Sequence, residues 1–209
     1  MSQFFQIHAE TPQKRLIEQA VHIIKQGGVI AYPTDSGYAL GCQINHKNAL
    51  ERIIQIRQLS KKHQFTLMCH NLSQVSRYTH LDNQAFRFLK THTPNPYTFI
   101  LKATKEVPNR LTTSAKKTIG IRIPHNKICL HILEALGEPL TSTSLILPHQ
   151  TEAEFDPFSI RDQLEHHIDL VIDGGCISEE PTTIIDLTSE PFSVLRQGAG
   201  NISVLLDAL

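Results

Sequence analysis

No apolar run in this 209-residue chain approaches the roughly 20 residues that a helix needs to cross a bilayer, and no membrane partner is expected. The start, Met1-Ser2-Gln3-Phe4-Phe5, lacks the basic opening and apolar stretch of a secretion signal, so the expected location is the cytoplasm. Cysteine is sparse. Cys42, Cys69, Cys129 and Cys176 stand far apart, outside the short spacings of a zinc ribbon or finger. Without a signal their even number does not argue for disulfides; they read as small buried hydrophobes, and no structural metal is expected. The common phosphate cradles are missing too: there is no G-x-x-x-x-G-K-[ST] and no G-x-G-x-x-G after a strand. A G-x-S-x-G nucleophile elbow is absent, and none of the 12 histidines forms an H-E-x-x-H pair. His166 and His167 are adjacent, point to different sides of a helix, and read as solvated.

What is present is an ordinary globular composition, 40% apolar and 19% charged, long enough to bury a core without staples. It reads as one domain over residues 1–209. The net charge of zero hides a division. Residues 1–130 hold 18 Lys/Arg against 6 Asp/Glu, and residues 131–209 hold 2 against 14, giving +12 and −12. Either the surface is bipolar with one face suited to phosphates, or the two parts neutralise each other across a folded interface.

Helical and extended patterns alternate along the chain. Thr11 and Pro12 read as the cap and first residue of a helix with an apolar stripe at Leu16, Ile17, Ala20, Val21 and Ile24, ended by Gly27 and Gly28. Further helices are predicted over Asn48–Gln58, Asn83–Leu89, Lys127–Leu136 and Phe158–Glu165. Strands are predicted at Val29–Tyr32, Phe65–Cys69, Tyr97–Leu101, Thr118–Arg122, Leu140–Ser144, Leu170–Asp173, Thr183–Leu187 and Ser193–Arg196. This alternation predicts an α/β fold. Several strands follow one another with no helix between, which predicts a mixed sheet. The acidic stretch from Leu147 to Pro157 reads as a surface excursion.

Short polar clusters fall where strands begin or end. Pro33-Thr34-Asp35-Ser36-Gly37-Tyr38-Ala39-Leu40-Gly41-Cys42 offers hydroxyls and backbone N–H groups to an anion, or is a plain turn with a capping Asp. Arg57, Lys61, Lys62 and His63 can grip phosphates, or form a solvated charged loop. Arg122 closes one strand and Ser142-Thr143-Ser144 another; Pro181-Thr182-Thr183 and Leu195-Arg196-Gln197-Gly198 complete the set. In open α/β sheets strand ends meet at the ligand crevice, so the six weak signals are read as one site.

In this order the clusters resemble the YrdC-like family, which includes the threonylcarbamoyl-AMP synthases, over about Gln13 to Val204. Pro33-Thr34-Asp35 with Tyr38-Ala39-Leu40-Gly41 is similar to P-T-E-T-x-Y-G-L-G, Asn95-Pro96-Tyr97-Thr98 to G-P-x-T, and Ile121-Arg122-Ile123-Pro124 to V-R-x-P. Ser142-Thr143-Ser144 is similar to S-T-S-A-N, Asp173-Gly174-Gly175 with Pro181 to Asp186 to D-G-G…P-S-T-I-V-D, and Leu195 to Ala199 to L-R-x-G-A. The wording from Tyr32 to Cys42 resembles the YciO branch.

The resemblance implies one α+β-like domain, a twisted mixed sheet flanked by helices with a concave basic site. It implies ATP, with Mg2+, and the joining of L-threonine, bicarbonate and ATP into threonylcarbamoyl-AMP for tRNA modification. Thr34 would then contact the amino acid. Arg57, Arg122 and Arg196 would hold phosphates or a carboxylate, beside the phosphate candidates Lys61, Lys62 and His63 of the basic cluster, and Thr98, Ser142, Ser144 and Thr182 would offer hydroxyls. The likeness departs where synthases carry Lys-x-Arg and this chain has Arg57-Gln58-Leu59, where a family lysine falls on His63, and where Ser-x-Asn is Ser144-Leu145-Ile146. Three readings follow: a nucleotide- or RNA-binding protein (tRNA or double-stranded RNA) with little synthase activity, an enzyme that makes or cleaves the adenylate, or a scaffold without a ligand. The first is preferred.

Overall fold

A computed structural model of the protein describes residues 1–60, 63–112, 116–177 and 180–203. Its strands are β1 (Gln3–Gln6), β2 (Ile30–Pro33), β3 (Tyr38–Gln43), β4 (Thr66–Met68), β5 (Tyr97–Lys102), β6 (Thr118–Arg122), β7 (Leu140–Ser144), β8 (Leu170–Asp173), β9 (Thr183–Asp186) and β10 (Ser193–Arg196). They form one sheet in the order β1-β8-β2-β3-β7-β4-β6-β5-β9-β10. β8 runs parallel to both β1 and β2, β4 to β6, and β5 to β9, while the other neighbours are antiparallel. The mixed α/β fold is therefore the one the sequence predicts. The α-helices among the described residues are α1 (Lys14–Lys25), α2 (Lys47–Arg57), α3 (Leu72–Tyr78), α4 (Asn83–His92), α5 (Lys127–Leu136) and α6 (Pro157–Leu164). None is long and apolar enough to cross a membrane.

Strand side chains alternate between two faces, and the core divides accordingly. On one face Ile30, Tyr32, Ala39, Met68, Leu140, Leu170 and Ile172 pack against Ile17, Ala20, Val21 and Ile24 of α1 and Ile128, Cys129, Ile132, Leu133 and Leu136 of α5. On the other, Ala31, Leu40, Leu67, Phe99, Ile121, Val171 and Ile185 pack against apolar residues of α2, α3, α4 and α6. Each fully buried Ile, Leu or Phe contributes roughly 1.5–3 kcal/mol, so helix cover decides which strand positions must be apolar. The first layer has only α1 and α5 to supply it, and its core lies over β1, β8, β2, β3, β7 and the end of β4.

Several local expectations are corrected. α1 begins at Lys14 after Gln13, which makes no side-chain cap bond. Thr11 does not cap it, because its backbone N–H and hydroxyl both lie 3.0 Å from His8 Nδ1 in the preceding turn. Elsewhere the caps are conventional: Asn71, Asp82, Asn126 and Asp156 accept from first-turn backbone N–H groups. The stretch from Leu147 to Pro157 is exposed over His149–Glu152 and at Phe155, and otherwise buried or half-buried. Glu154 is buried: its N–H donates to Leu145 O at 2.8 Å, its carbonyl accepts from Tyr38 N at 2.9 Å, and its Oε1 accepts from Gln150 and Gln163. A carboxylate supported in this way anchors the segment to β3 and β7 instead of leaving it a free loop. Cys42, Cys69 and Cys129 are buried as expected, but Cys176 is exposed.

Among the described residues the ion pair Arg52–Asp169 joins the basic and acidic parts. The ion pairs Lys14–Glu18, Lys47–Glu51, Arg77–Glu106, Arg122–Asp35 and Lys127–Glu10 lie within residues 1–130.

Candidate functional site

Beyond the reach of α1 and α5, the same sheet face turns polar. Alternation from Leu140 puts Ser142 and Ser144 on it; from Met68, Thr66; opposite Ile121, Arg122; opposite Phe99, Thr98; opposite Ile185, Ile184. These residues floor a cavity of about 450 Å³ whose walls include Thr34, Tyr38, Arg57, His63, Ile146, Thr182 and Arg196. The described residues that the sequence singled out, Thr34, Arg57, His63, Thr98, Arg122, Ser142, Ser144, Thr182 and Arg196, therefore line one hollow. Lys61 and Lys62 lie outside the described residues. The convergence is of two kinds. Some residues stand at strand ends, as the sequence argument supposes, but others meet because the mixed sheet leaves a stretch of its face without helices.

Arg122 is the most constrained cation. It is buried and ion-paired with Asp35, with Nη1 donating to Ser36 Oγ at 2.8 Å. The Asp35–Ser36 turn holds this arginine in place, a role the sequence reading did not assign to either residue; an acidic residue in the turn between β2 and β3 was the available signal. Arg196 donates Nε and Nη2 to Thr182 O at 3.2 and 2.8 Å, and Thr182 Oγ1 lies 2.8 Å from Thr98 Oγ1. The strand-end hydroxyls and a guanidinium thus form one connected chain. Thr34 is buried, and its hydroxyl donates to Gly37 O at 2.7 Å and accepts from Ser36 N at 3.1 Å, so its proton is committed to the turn. Ser142 Oγ lies 2.6 Å from the hydroxyl of Tyr32, whose burial holds the phenol pKa well above its ordinary value.

On the opposite wall α2 ends at Arg57, and Gln58 in the left-handed region (φ 49°) turns the chain back. Burial pulls the Arg57 guanidinium below its usual pKa. Burial, and then the neighbouring Arg122, do the same to Arg196. Among the described residues neither Arg57 nor Arg196 is ion-paired with an acid, and none of the cavity-lining residues is Asp or Glu. Arg57 Nε and Arg122 Nε are buried without an acceptor. A buried donor left unmet costs about 1–3 kcal/mol, a cost borne here by two of the three guanidiniums around the hollow. His63 Nε2 lies 3.0 Å from Thr143 Oγ1, a contact alternation does not suggest, since Thr143 should face away from Ser142 and Ser144. At the positions departing from the synthase pattern, Ile146 lines the cavity, while Leu59 packs against the core.

A larger cavity, about 770 Å³, opens between α2 and α6 beside Leu147 and Pro148. Its arginine is already engaged: Arg52 donates to Asp169 at 2.7 Å and to His167 O at 2.8 Å. It gathers none of the strand-end hydroxyls. Size favours it; convergent polar chemistry favours the smaller one.

The Sua5/YciO/YrdC family model, described as "Telomere recombination", matches residues 22–198. The chain is 57% identical to an uncharacterized protein YciO of Escherichia coli, covering 99% of this chain and 100% of that one. The crystal structure of Escherichia coli YciO superposes with a TM-score of 0.95 over 98% of this chain and 100% of that chain. A threonylcarbamoyl-AMP synthase of Vibrio vulnificus is 31% identical over 87% of this chain and 98% of its own length. At the level of fold, P. abyssi Sua5 complexed with L-threonine superposes with a TM-score of 0.90 at 22% identity, over 99% of this chain and 60% of that one. By sequence and by fold, then, this chain belongs to the Sua5/YciO/YrdC family and is a relative of the threonylcarbamoyl-AMP synthases.

Proposed function

We propose that the 450 Å³ cavity binds a nucleotide through its phosphates, ATP or an adenylate being the class the family relation favours. One observation carries this reading. Three guanidiniums converge on one hollow without acidic lining residues, and two of them lack an acidic partner among the described residues. Partial burial of an unpaired cation is unfavourable, and it already pulls Arg57 and Arg196 below their usual pKa, so an anion is the natural complement. Arg57 and Arg196 would take phosphate oxygens in forked geometry, Arg122 would present a pre-oriented edge, and the Thr98–Thr182 pair and Ser144 would offer hydroxyls. No group of three or more metal-ligating side chains occurs among the described residues, so Mg2+ would enter on the polyphosphate. The test is equilibrium binding of ATP to the full chain at low and high salt. Binding that weakens steeply with salt supports the reading; no binding at low salt removes it.

Whether the site also makes threonylcarbamoyl-AMP is a separate question. The related synthase and the threonine complex of Sua5 favour an amino-acid ligand, which the family resemblance would seat beside Thr34. Ile146 weighs against efficient synthesis, since it offers a methyl surface where a side-chain amide would hydrogen-bond. Threonine-dependent pyrophosphate release from ATP and bicarbonate, compared with an Arg122→Ala control, distinguishes a synthase from a binding protein. RNA is a further reading, favoured by the +12 of residues 1–130; filter binding of tRNA and double-stranded RNA across a salt series tests it.

A further inference from the structure

Resting on the nucleotide reading, we infer that His63 takes up a proton when a phosphate enters the cavity, so that the fourth cation of the site is supplied by ligand binding and not carried by the empty protein. The argument starts from what faces this imidazole. Arg57 approaches it from the end of α2 and depresses its basicity electrostatically, after the larger effect of burial. Thr143 Oγ1 on β7 lies 3.0 Å from Nε2, and a neutral hydroxyl donates or accepts with equal ease. Phe65 meets the ring edge-on, centroids 5.0 Å apart. Gln64 lines the same wall, Arg122 and Arg196 stand elsewhere around the cavity, and no acid is among the lining residues. Lys61 and Lys62, just before it in the chain, lie outside the described residues. Every described charge that lines the cavity is thus positive, and the empty cavity holds His63 neutral at pH 7.

A phosphate reverses this balance. It brings about −1.5 to −2 charges at pH 7 into a space where an imidazolium had faced only cations. The protonated ring then donates from both nitrogens, Nε2 keeping Thr143 as an acceptor while the ring cation faces the anion. Of the three arginines, Arg122 is already neutralised by Asp35, which leaves Arg57 and Arg196 to face a polyanion. A third charge is useful when the ligand is present and unfavourable when it is not. Histidine meets that requirement because its ordinary pKa lies near 6.5; a lysine would remain charged in both states.

The test is calorimetric titration of the full chain with ATP at pH 7.5, in two buffers of widely different ionisation enthalpy, for the wild type, His63→Gln and His63→Lys. Protonation of ATP itself is common to all three and cancels. The wild type should take up more protons than either variant, the excess approaching one per ATP. Between pH 8 and pH 6 its affinity should gain roughly 30-fold on that of His63→Gln, the linkage integral of that uptake over the two pH units. His63→Lys should bind tightly without the extra pH dependence, which also guards against a glutamine variant that folds poorly. Equal proton uptake in three proteins that all bind ATP would overturn the inference and leave the nucleotide reading standing. No binding by the wild type at any of these pH values would overturn both.

Discussion

From β1 to β7, the sheet face beneath α1 and α5 carries Ile30, Tyr32, Leu140, Leu170 and Ile172. From β4 to β9 the equivalent positions carry Thr66, Arg122, Thr98 and Ile184, and the space above them is a cavity. The pleat and the hydrogen-bonded ladder continue unbroken between the two regions; what differs is helix cover. Under helices, a residue gains by being apolar and shaped to its neighbours. Without helices, the floor and walls hold groups that stability alone would not select: a buried arginine tied to an aspartate, and in both Arg57 and Arg122 an Nε without an acceptor. One half of the face is packed for folding; the other, on the nucleotide reading proposed above, would take a ligand, in keeping with the tendency of binding sites to carry unfavourable interactions.

The strongest test of that contrast is Arg122→Ala. It leaves Asp35 buried without its partner and should cost about 3–5 kcal/mol of stability by urea denaturation, together with ATP binding. Removing Asp35 as well should recover part of the stability and none of the binding. In the covered half, Leu133→Ala on α5 should cost about 2–5 kcal/mol by creating a cavity while leaving ATP affinity unchanged. A loss of affinity there would mean that the two halves are not separable. Arg57→Gln should do the reverse. Relieved of an unpaired, partly desolvated charge, the protein should hold its stability within about 0.5 kcal/mol, yet bind ATP roughly tenfold or more weakly. Ile146→Asn, adding an amide to the cavity wall, should raise affinity by about 2–10-fold and is read by the same titration.

The smallest expected effect is the pH dependence of the unliganded protein. His63 has a folded pKa below its ordinary 6.5, so near pH 6 the unfolded chain binds more protons than the native one. Stability therefore falls as pH drops through this range. His63→Gln should flatten that limb in thermal melts between pH 7 and pH 5. Saturating ATP should oppose the fall in the wild type.

Much of this organisation can be read along the chain, and the gaps have physical causes. α5 is bracketed by Asn126 and Gly137 and predicted end to end, because cap, stripe and stop agree. β3 is hidden inside a polar cluster. Its residues from Tyr38 to Cys42 are buried, so it lacks the alternation that marks a half-exposed strand, and it follows a turn rich in Asp, Ser and Gly. β1 is four residues long with glutamine at both ends, and α3 is seven residues long; neither carries enough periodicity to stand out. At the site, hydroxyls and arginines beside strand ends are visible in the sequence, and they do meet. The Asp35–Arg122 pair and the Thr143–His63 contact are not visible, because each joins residues about 80 or more positions apart through a register that only the folded sheet defines.

The central claim is that the helix-free half of the sheet face is a phosphate-binding floor. A crystal structure of the full chain grown with ATP addresses it directly. Phosphate oxygens are expected within hydrogen-bonding distance of Arg57, Arg122 and Arg196, above Thr98 and Ser142. A nucleotide seated beside Arg52 in the larger cavity, with the strand-end cavity lacking any phosphate, would contradict it.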